Sequence, residues 1–362
     1  MIDIRRSDAK YKRDAGWLKS SASFSFGEYD DQDNRFFGPL CVFNDDKVAG
    51  RHGFGAHPHR EMEIVTVVLK GQLKHADSAG HTAVTAFGGV QRMSAGTGII
   101  HSEVNPGDEE TELLQIWFVP DTKRLSPSYE TARFDPAAAH NRLLPIVSNR
   151  PAANVAHIHQ DLTMYYADLD AGAAVSCTLA PGRLAFLFII EGEVSLNGEH
   201  ALGRRDEARI SDTAELELRC GGAGGAQLLL IDLPPSANRE EPAAQPAAIS
   251  APAAGPRSKL LVRLVTGQLL IDTDERNYPF SVEPSGDGWL VTIEGIRDAD
   301  AARLAIHLNE LNLFYFEYAQ DGGSLQKYWL YDKDEPGFVY DRDNRRASIT
   351  LDSRVAYSND KV

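Results

Sequence analysis

Gly53-Phe54-Gly55-Ala56-His57-Pro58-His59-Arg60-Glu61-Met62-Glu63 and, further along, Gly96-Thr97-Gly98-Ile99-Ile100-His101-Ser102-Glu103-Val104-Asn105 are the two segments around which this sequence is organised. Each carries two candidate metal ligands at i and i+2. Alternate residues of an extended strand share a face, so His57 and His59 aim at one point, and so do His101 and Glu103. If the two strands face each other across a small barrel, three imidazoles and one carboxylate converge. That donor set suits a borderline divalent metal such as Fe, Zn, Cu, Ni or Mn. The glycines on both approaches let the backbone pack closely around a small site. Glu63 has two readings, as a further ligand on the face of His57 and His59 or as a carboxylate that orients a ligand imidazole.

The flanking sequence is strand after strand. Glu63-Ile64-Val65-Thr66-Val67-Val68-Leu69 is rich in β-branched residues and stops at Lys70-Gly71. Gln72-Leu73-Lys74-His75-Ala76-Asp77 follows, and Leu113-Leu114-Gln115-Ile116-Trp117-Phe118-Val119 closes the unit before Pro120. Short strands separated by glycine turns indicate a sandwich or jelly-roll barrel. His52 and His75 read as surface or structural residues near the cavity.

The unit then repeats. Phe186-Leu187-Phe188-Ile189-Ile190-Glu191-Gly192 echoes the run ending at Gly71, and Gln227-Leu228-Leu229-Leu230-Ile231-Asp232-Leu233 echoes the closing strand. Aligning the two glycine turns sets Thr178 and Ala180 where His57 and His59 stand. Aligning the closing strands sets Leu216 and Leu218 where His101 and Glu103 stand. The second barrel is therefore expected to lack metal ligands. His157-Ile158-His159 repeats the His-x-His spacing there without a partner segment.

The mainly β chain divides into a metal-binding barrel over 1–130, a second barrel over 131–235, an Ala/Pro-rich linker over 236–258 and a small α+β domain over 259–362. In the last block 260–265, 289–293, 328–331 and 347–351 read as strands. A helix is expected over 298–313, with Ala302, Leu304, Ala305, Leu308 and Leu311 on one face.

The chain has 362 residues and a net charge of -15, from 52 acidic and 37 basic side chains. That balance argues against nucleic acid and against an anionic membrane surface as partners. The longest apolar run, 184–190, is too short to span a bilayer, and no signal peptide is visible, so a cytoplasmic location is expected. Three scattered cysteines, Cys41, Cys177 and Cys220, form no disulfide framework. Ser94 and Ser102 lie in no Gly-x-Ser-x-Gly elbow, and no phosphate-binding glycine loop occurs.

The residues from Met1 to about Pro235 resemble the pirin family of bicupins, which includes bacterial quercetin 2,3-dioxygenases. The resemblance rests on Gly16-Trp17-Leu18, Phe24-Ser25-Phe26, Asn44-Asp45-Asp46, Gly53 to His59, Met62-Glu63, Met93 to Gly98, His101-Ser102-Glu103 and Gln115-Ile116-Trp117. It implies tandem cupin (jelly-roll) β-barrels with one mononuclear site in the first. The family's ligands fall on His57, His59, His101 and Glu103, which weakens the case for Glu63 as a ligand. The resemblance also implies a divalent transition metal, iron foremost, with Zn, Cu, Ni, Mn or Co as alternatives. The implied activity is cleavage of a flavonol such as quercetin by dioxygen with loss of carbon monoxide, Glu103 acting as general base. The alternative it leaves open is a metal-dependent regulatory or stress-response protein that binds protein partners, with 259–362 offering the surface.

Overall fold

The computed structural model describes residues 1–31, 33–235, 258–265, 267–318 and 325–357. The linker expected over 236–258 lies almost wholly outside the described residues.

The run Glu63–Lys70 is apolar on both sides because it is buried on both sides. Val65 and Val67 point outward into a core shared with the second barrel, whereas Ile64 and Val68 point into the first barrel's own interior. This strand sits third in a seven-stranded sheet ordered Ser128–Arg133, Gly89–Ser94, Glu63–Lys70, Thr111–Phe118, Leu40–Val48, Leu18–Ala22 and Tyr11–Asp14. The barrel's other wall is a four-stranded sheet of Gly53–His59, Ile99–Val104, Gln72–Asp77 and Thr82–Ala86.

The second barrel repeats the plan. Its large sheet runs Ile2–Arg5, Glu207–Ile210, Leu184–Glu191, Ala226–Leu233, Thr163–Leu169, Leu144–Ser148 and Ala156–His157. Its small sheet is Ala174–Thr178, Glu215–Cys220, Val194–Leu196 and His200–Leu202. The two large sheets pack through a common apolar layer, in which the Phe43 ring lies 4.8 Å from those of both Phe186 and Phe188. Two details depart from the expected boundaries. Ile2–Arg5 pairs with Glu207–Ile210 and so completes the second barrel, and a cut at 130 would fall inside Ser128–Arg133, which pairs with Gly89–Ser94.

The third domain stacks a five-stranded sheet on a four-stranded one around its own core. The expected helix stops early, at Asp298–Ile306, and Leu311–Tyr318 is a strand. The aromatic run Phe314-Tyr315-Phe316 favours a pleated surface, and pairing with Ser258–Leu264 on one side and Leu325–Tyr331 on the other overrides helical propensity. The helix buries Ala301 and Leu304, while Ala302 and Ala305 face solvent. Among the described residues no helix is long and apolar enough to cross a membrane.

The third domain rests directly on the first barrel. The buried Arg60 guanidinium donates to the Asn312 side-chain oxygen at 3.2 Å and to the carbonyls of Asp332, Asn309 and Leu311 at 2.8, 3.2 and 2.7 Å. Trp329 Nε1 donates to the same Asn312 oxygen at 3.0 Å. Gly98, at φ +134°, leaves room for that indole: a Cβ there would lie 3.1 Å from both Trp329 Cη2 and Tyr331 Oη.

Candidate metal centre

The two ligand strands are hydrogen-bonded neighbours rather than opposite walls. His101 pairs across from His57 and Ile99 from His59, with a bulge between His101 and Glu103. Adjacent antiparallel strands put directly paired side chains on one face, so convergence needs no barrel-spanning geometry. Gly53 permits the approach, since a Cβ there would collide with the Glu103 carbonyl oxygen.

The imidazole donor atoms of His57, His59 and His101 lie within 4.8 Å of one another. Their ring centroids are 4.4 to 4.9 Å apart. His57 uses Nδ1 on the Gly55 carbonyl at 2.7 Å, which leaves Nε2 for the shared point. Nε2 of both His59 and His101 is buried without any hydrogen-bond partner among the described residues. Desolvation holds all three imidazoles below their ordinary pKa, His59 and His101 far below, so they are neutral donors. Buried, neutral, unpartnered nitrogens aimed at one spot fit a cation, and they are costly without one.

Glu103 is 3% exposed. Its donor oxygen falls within 4.8 Å of His101 and His75, in a second set that shares His101 with the first. Gln115 Nε2 donates to its Oε2 at 2.6 Å and Thr66 Oγ1 to its Oε1 at 3.2 Å. Burial pushes this carboxyl up to about 7, against the pull of those two hydrogen bonds.

Two residues of the site were given no role there by the sequence. Thr66 and Gln115 belong to a polar row that crosses the barrel interior: Asn44 pairs with Gln115, Gln115 with Thr66, and Thr66 with Gln91. Their signal was a lone polar residue inside an otherwise apolar buried run. His75, expected near the cavity in a surface or structural role, takes the structural one: it is only 1% exposed. Its Nδ1 lies 3.4 Å from His101 Nδ1 and its Nε2 3.0 Å from Asp77 Oδ2, and the ring stacks on Tyr129 at 4.0 Å. Both nitrogens are engaged, so His75 orients His101 rather than adding a ligand. His52 is exposed and holds the Gly50 carbonyl.

Glu63 neither reaches the triad nor orients a ligand imidazole. It accepts from Ser94 Oγ at 2.7 Å, from the His159 and Gln160 backbone N–H groups at 3.1 and 2.8 Å, and contacts His159 Nδ1 at 2.9 Å. It thereby ties the first barrel to the segment that enters the second, and this accounts for His159.

In the second barrel Leu216 and Leu218 pack in the apolar core. The residue paired across from Leu216 is Cys177, so the alignment that placed Thr178 against His57 slips by one.

The triad and Glu103 line a cavity of about 460 Å³. Asn44, Asp46, Phe54 and Trp117 share its inner wall, and Leu261, Arg263, Phe314, Phe316, Lys327 and Tyr357 of the third domain form much of its outer wall. Asp46 is buried, with Oδ1 unpartnered, and desolvation pushes its carboxyl up to about 7.

Comparison with known proteins agrees with this architecture. The Pirin family model matches residues 4–118, and the quercetinase C-terminal cupin domain model matches 145–233. A quercetin 2,3-dioxygenase of Escherichia coli K12 is 36% identical over 241 residues, 65% of this chain and 100% of the relative. The chain belongs to the pirin family. A pirin-like protein of Caulobacter vibrioides is 36% identical over 233 residues, 64% of this chain and 99% of its own. The crystal structure of the E. coli bacterial pirin YhhW in complex with nickel(II) superposes with a TM-score of 0.61 at 34% identity, covering 65% of this chain and all of that one. Neither matched pirin segment reaches the third domain.

Proposed function

We propose that this pirin is a metal-dependent dioxygenase acting on a flavonol such as quercetin, with His57, His59, His101 and Glu103 holding one divalent transition metal. The observation that carries the reading is the trio of converging imidazoles, half-buried His57 with buried His59 and His101 whose Nε2 atoms are unpartnered, on the wall of a cavity of about 460 Å³. That volume falls in the range of small-molecule sites. Support also comes from the relative named quercetin 2,3-dioxygenase and from the nickel-bound E. coli pirin.

A metal bound there supplies Lewis-acid charge, which lowers the pKa of a substrate hydroxyl brought to it. The rest is work for the protein. Gln115 and Thr66 hold the Glu103 carboxylate in one orientation. In the metal-free protein burial raises the Glu103 carboxyl to about 7, and this carboxylate is the group placed to accept a phenolic proton beside the site. Phe54 from the barrel and Phe314 from the third domain offer faces for flat rings. Unpartnered oxygens on Asn44 and Asp46 are available to ring hydroxyls.

Oxygen uptake with quercetin, measured alongside elemental analysis, tests this. Turnover is expected to vanish in His57→Ala and in His101→Ala; normal turnover in a verified metal-free double variant would sink the assignment. A role as a regulator binding partners through 259–362 is less favoured, because one face of the five-stranded sheet already lies on the first barrel.

A further inference from the structure

The third domain's five-stranded sheet is two-faced. Leu260, Val262, Leu311, Leu313 and Leu330 point into the domain's own core. The alternate residues on the other side are laid over the metal barrel. Asn312 and Trp329 dock there through Arg60 and Gly98. Beyond that contact the same face continues as cavity wall, with Arg263, Phe314, Phe316, Lys327 and Tyr357. The register keeps these side chains together: Phe316 pairs with Lys327 and Lys327 with Tyr357, while Phe314 and Tyr357 meet edge to face at 6.4 Å.

Charge on this outer wall is uneven. Of the carboxylates lining the cavity, Asp46 and Glu103 sit at the inner end, and Glu28 lies 4.0 Å from Arg13. Arg263 donates to the Gly267 carbonyl at 2.8 Å, and among the described residues neither it nor Lys327 has a carboxylate within ion-pair distance. Asp272 and Glu28, which act on Arg263 from further away, are held by Lys259 at 2.7 Å and by Arg13 at 4.0 Å. Two basic groups beside aromatic faces, in a protein of net charge -15, mark a place for an anion attached to a ring.

We propose that the third domain is a specificity wall of the metal pocket, and that Arg263 and Lys327 select aromatic substrates carrying an anionic substituent at the end away from the metal. This rests on reading the pocket as one that takes flat polyphenols, and it narrows that class to sulfated or carboxylated members.

The test uses the full-length, metal-loaded protein without dioxygen, so that binding is read apart from turnover. Quercetin and quercetin 3′-sulfate are titrated by fluorescence quenching against the wild type, Arg263→Gln, Lys327→Gln and the charge-retaining Arg263→Lys. The wild type is expected to bind the sulfate more tightly. Each glutamine variant should weaken sulfate binding roughly tenfold, the worth of one charge-assisted hydrogen bond, with little change for quercetin. Arg263→Lys should restore most of the loss, and metal content should stay constant throughout. Equal weakening of both ligands, or no preference for the sulfate in the wild type, overturns the proposal. Absence of oxygen uptake with an intact sulfate contrast would instead count against the dioxygenase reading alone.

Discussion

His101 Nδ1 faces His75 Nδ1 at 3.4 Å, and His75 in turn contacts Asp77 through Nε2 at 3.0 Å. One tautomer chain satisfies this geometry: His101 donates to His75, and His75 donates to the Asp77 carboxylate. Nε2 of His101 is then left as a lone-pair donor toward the triad. His75→Ala should therefore lower metal affinity by roughly 10- to 100-fold, as loss of an orienting partner does at other sites. Chelator competition measures this, and unchanged affinity would show that His75 serves packing alone.

Metal binding should release a proton in acid but not in alkali. The His57, His59 and His101 pKa values are all lowered by burial, those of His59 and His101 far below the ordinary range, so at pH 6 these imidazoles release less than free histidines would. The Glu103 carboxyl, raised to about 7, is still protonated there and must lose its proton to become a ligand. Calorimetry in buffers of different ionisation heat should give close to one proton released at pH 6 and close to none at pH 8. Gln115→Leu removes a hydrogen bond that favours the carboxylate, so its midpoint should move to higher pH.

Asp46 should make the metal-free protein less stable as pH rises. Its folded pKa, about 7, lies above the usual 3.8, so the folded state holds a proton that the unfolded state loses first. The stabilisation is complete below the unfolded pKa and disappears as pH passes through 7. Asp46→Asn should remove this contribution between pH 4 and 8 and leave the parallel one from Glu103. At pH 8 it should raise stability by on the order of a few kcal/mol, read from urea midpoints.

Arg60→Ala should loosen the third domain from the first barrel. The variant strips donors from three backbone carbonyls, each costing about 1–3 kcal/mol if left dry, and leaves the Asn312 oxygen to Trp329 Nε1 alone. Hydrogen exchange should quicken across Leu311–Tyr318 and Leu325–Tyr331 while the second barrel keeps its protection. Gly98→Ala, which crowds Trp329 and strains the backbone, should act in the same direction.

Much of the centre was legible because strand periodicity is local. His57, His59, His101 and Glu103 announce themselves by spacing, and the repeat is visible in its apolar runs. What stayed hidden depends on register. His75 lies opposite Glu103 on a neighbouring strand, and nothing in Gln72 to Asp77 reveals that pairing. Glu63 looked like part of the centre because it continues the same chain segment, yet it turns to His159, 96 positions away. The helix expected to reach 313 was misjudged because Leu308 and Leu311 continue a helical stripe, while Leu311 and Leu313 equally fit a strand. The third domain's place over the cavity hangs on Arg60 meeting Asn312 across 252 positions, beyond any periodicity.

The pairing of Ile2 with Ile210 sets an order of events during synthesis. Ile2–Arg5, once synthesised, wait for a partner made about two hundred residues later, roughly 10–40 s at ordinary elongation rates. The first barrel's strands are complete at Arg133, so it has its partners early, with the opening strand left dangling outside it. The second barrel closes only by reaching back for that strand. A bulky fusion at the amino end, or an expression fragment starting after Arg5, would therefore be felt in the barrel that holds no candidate metal ligands.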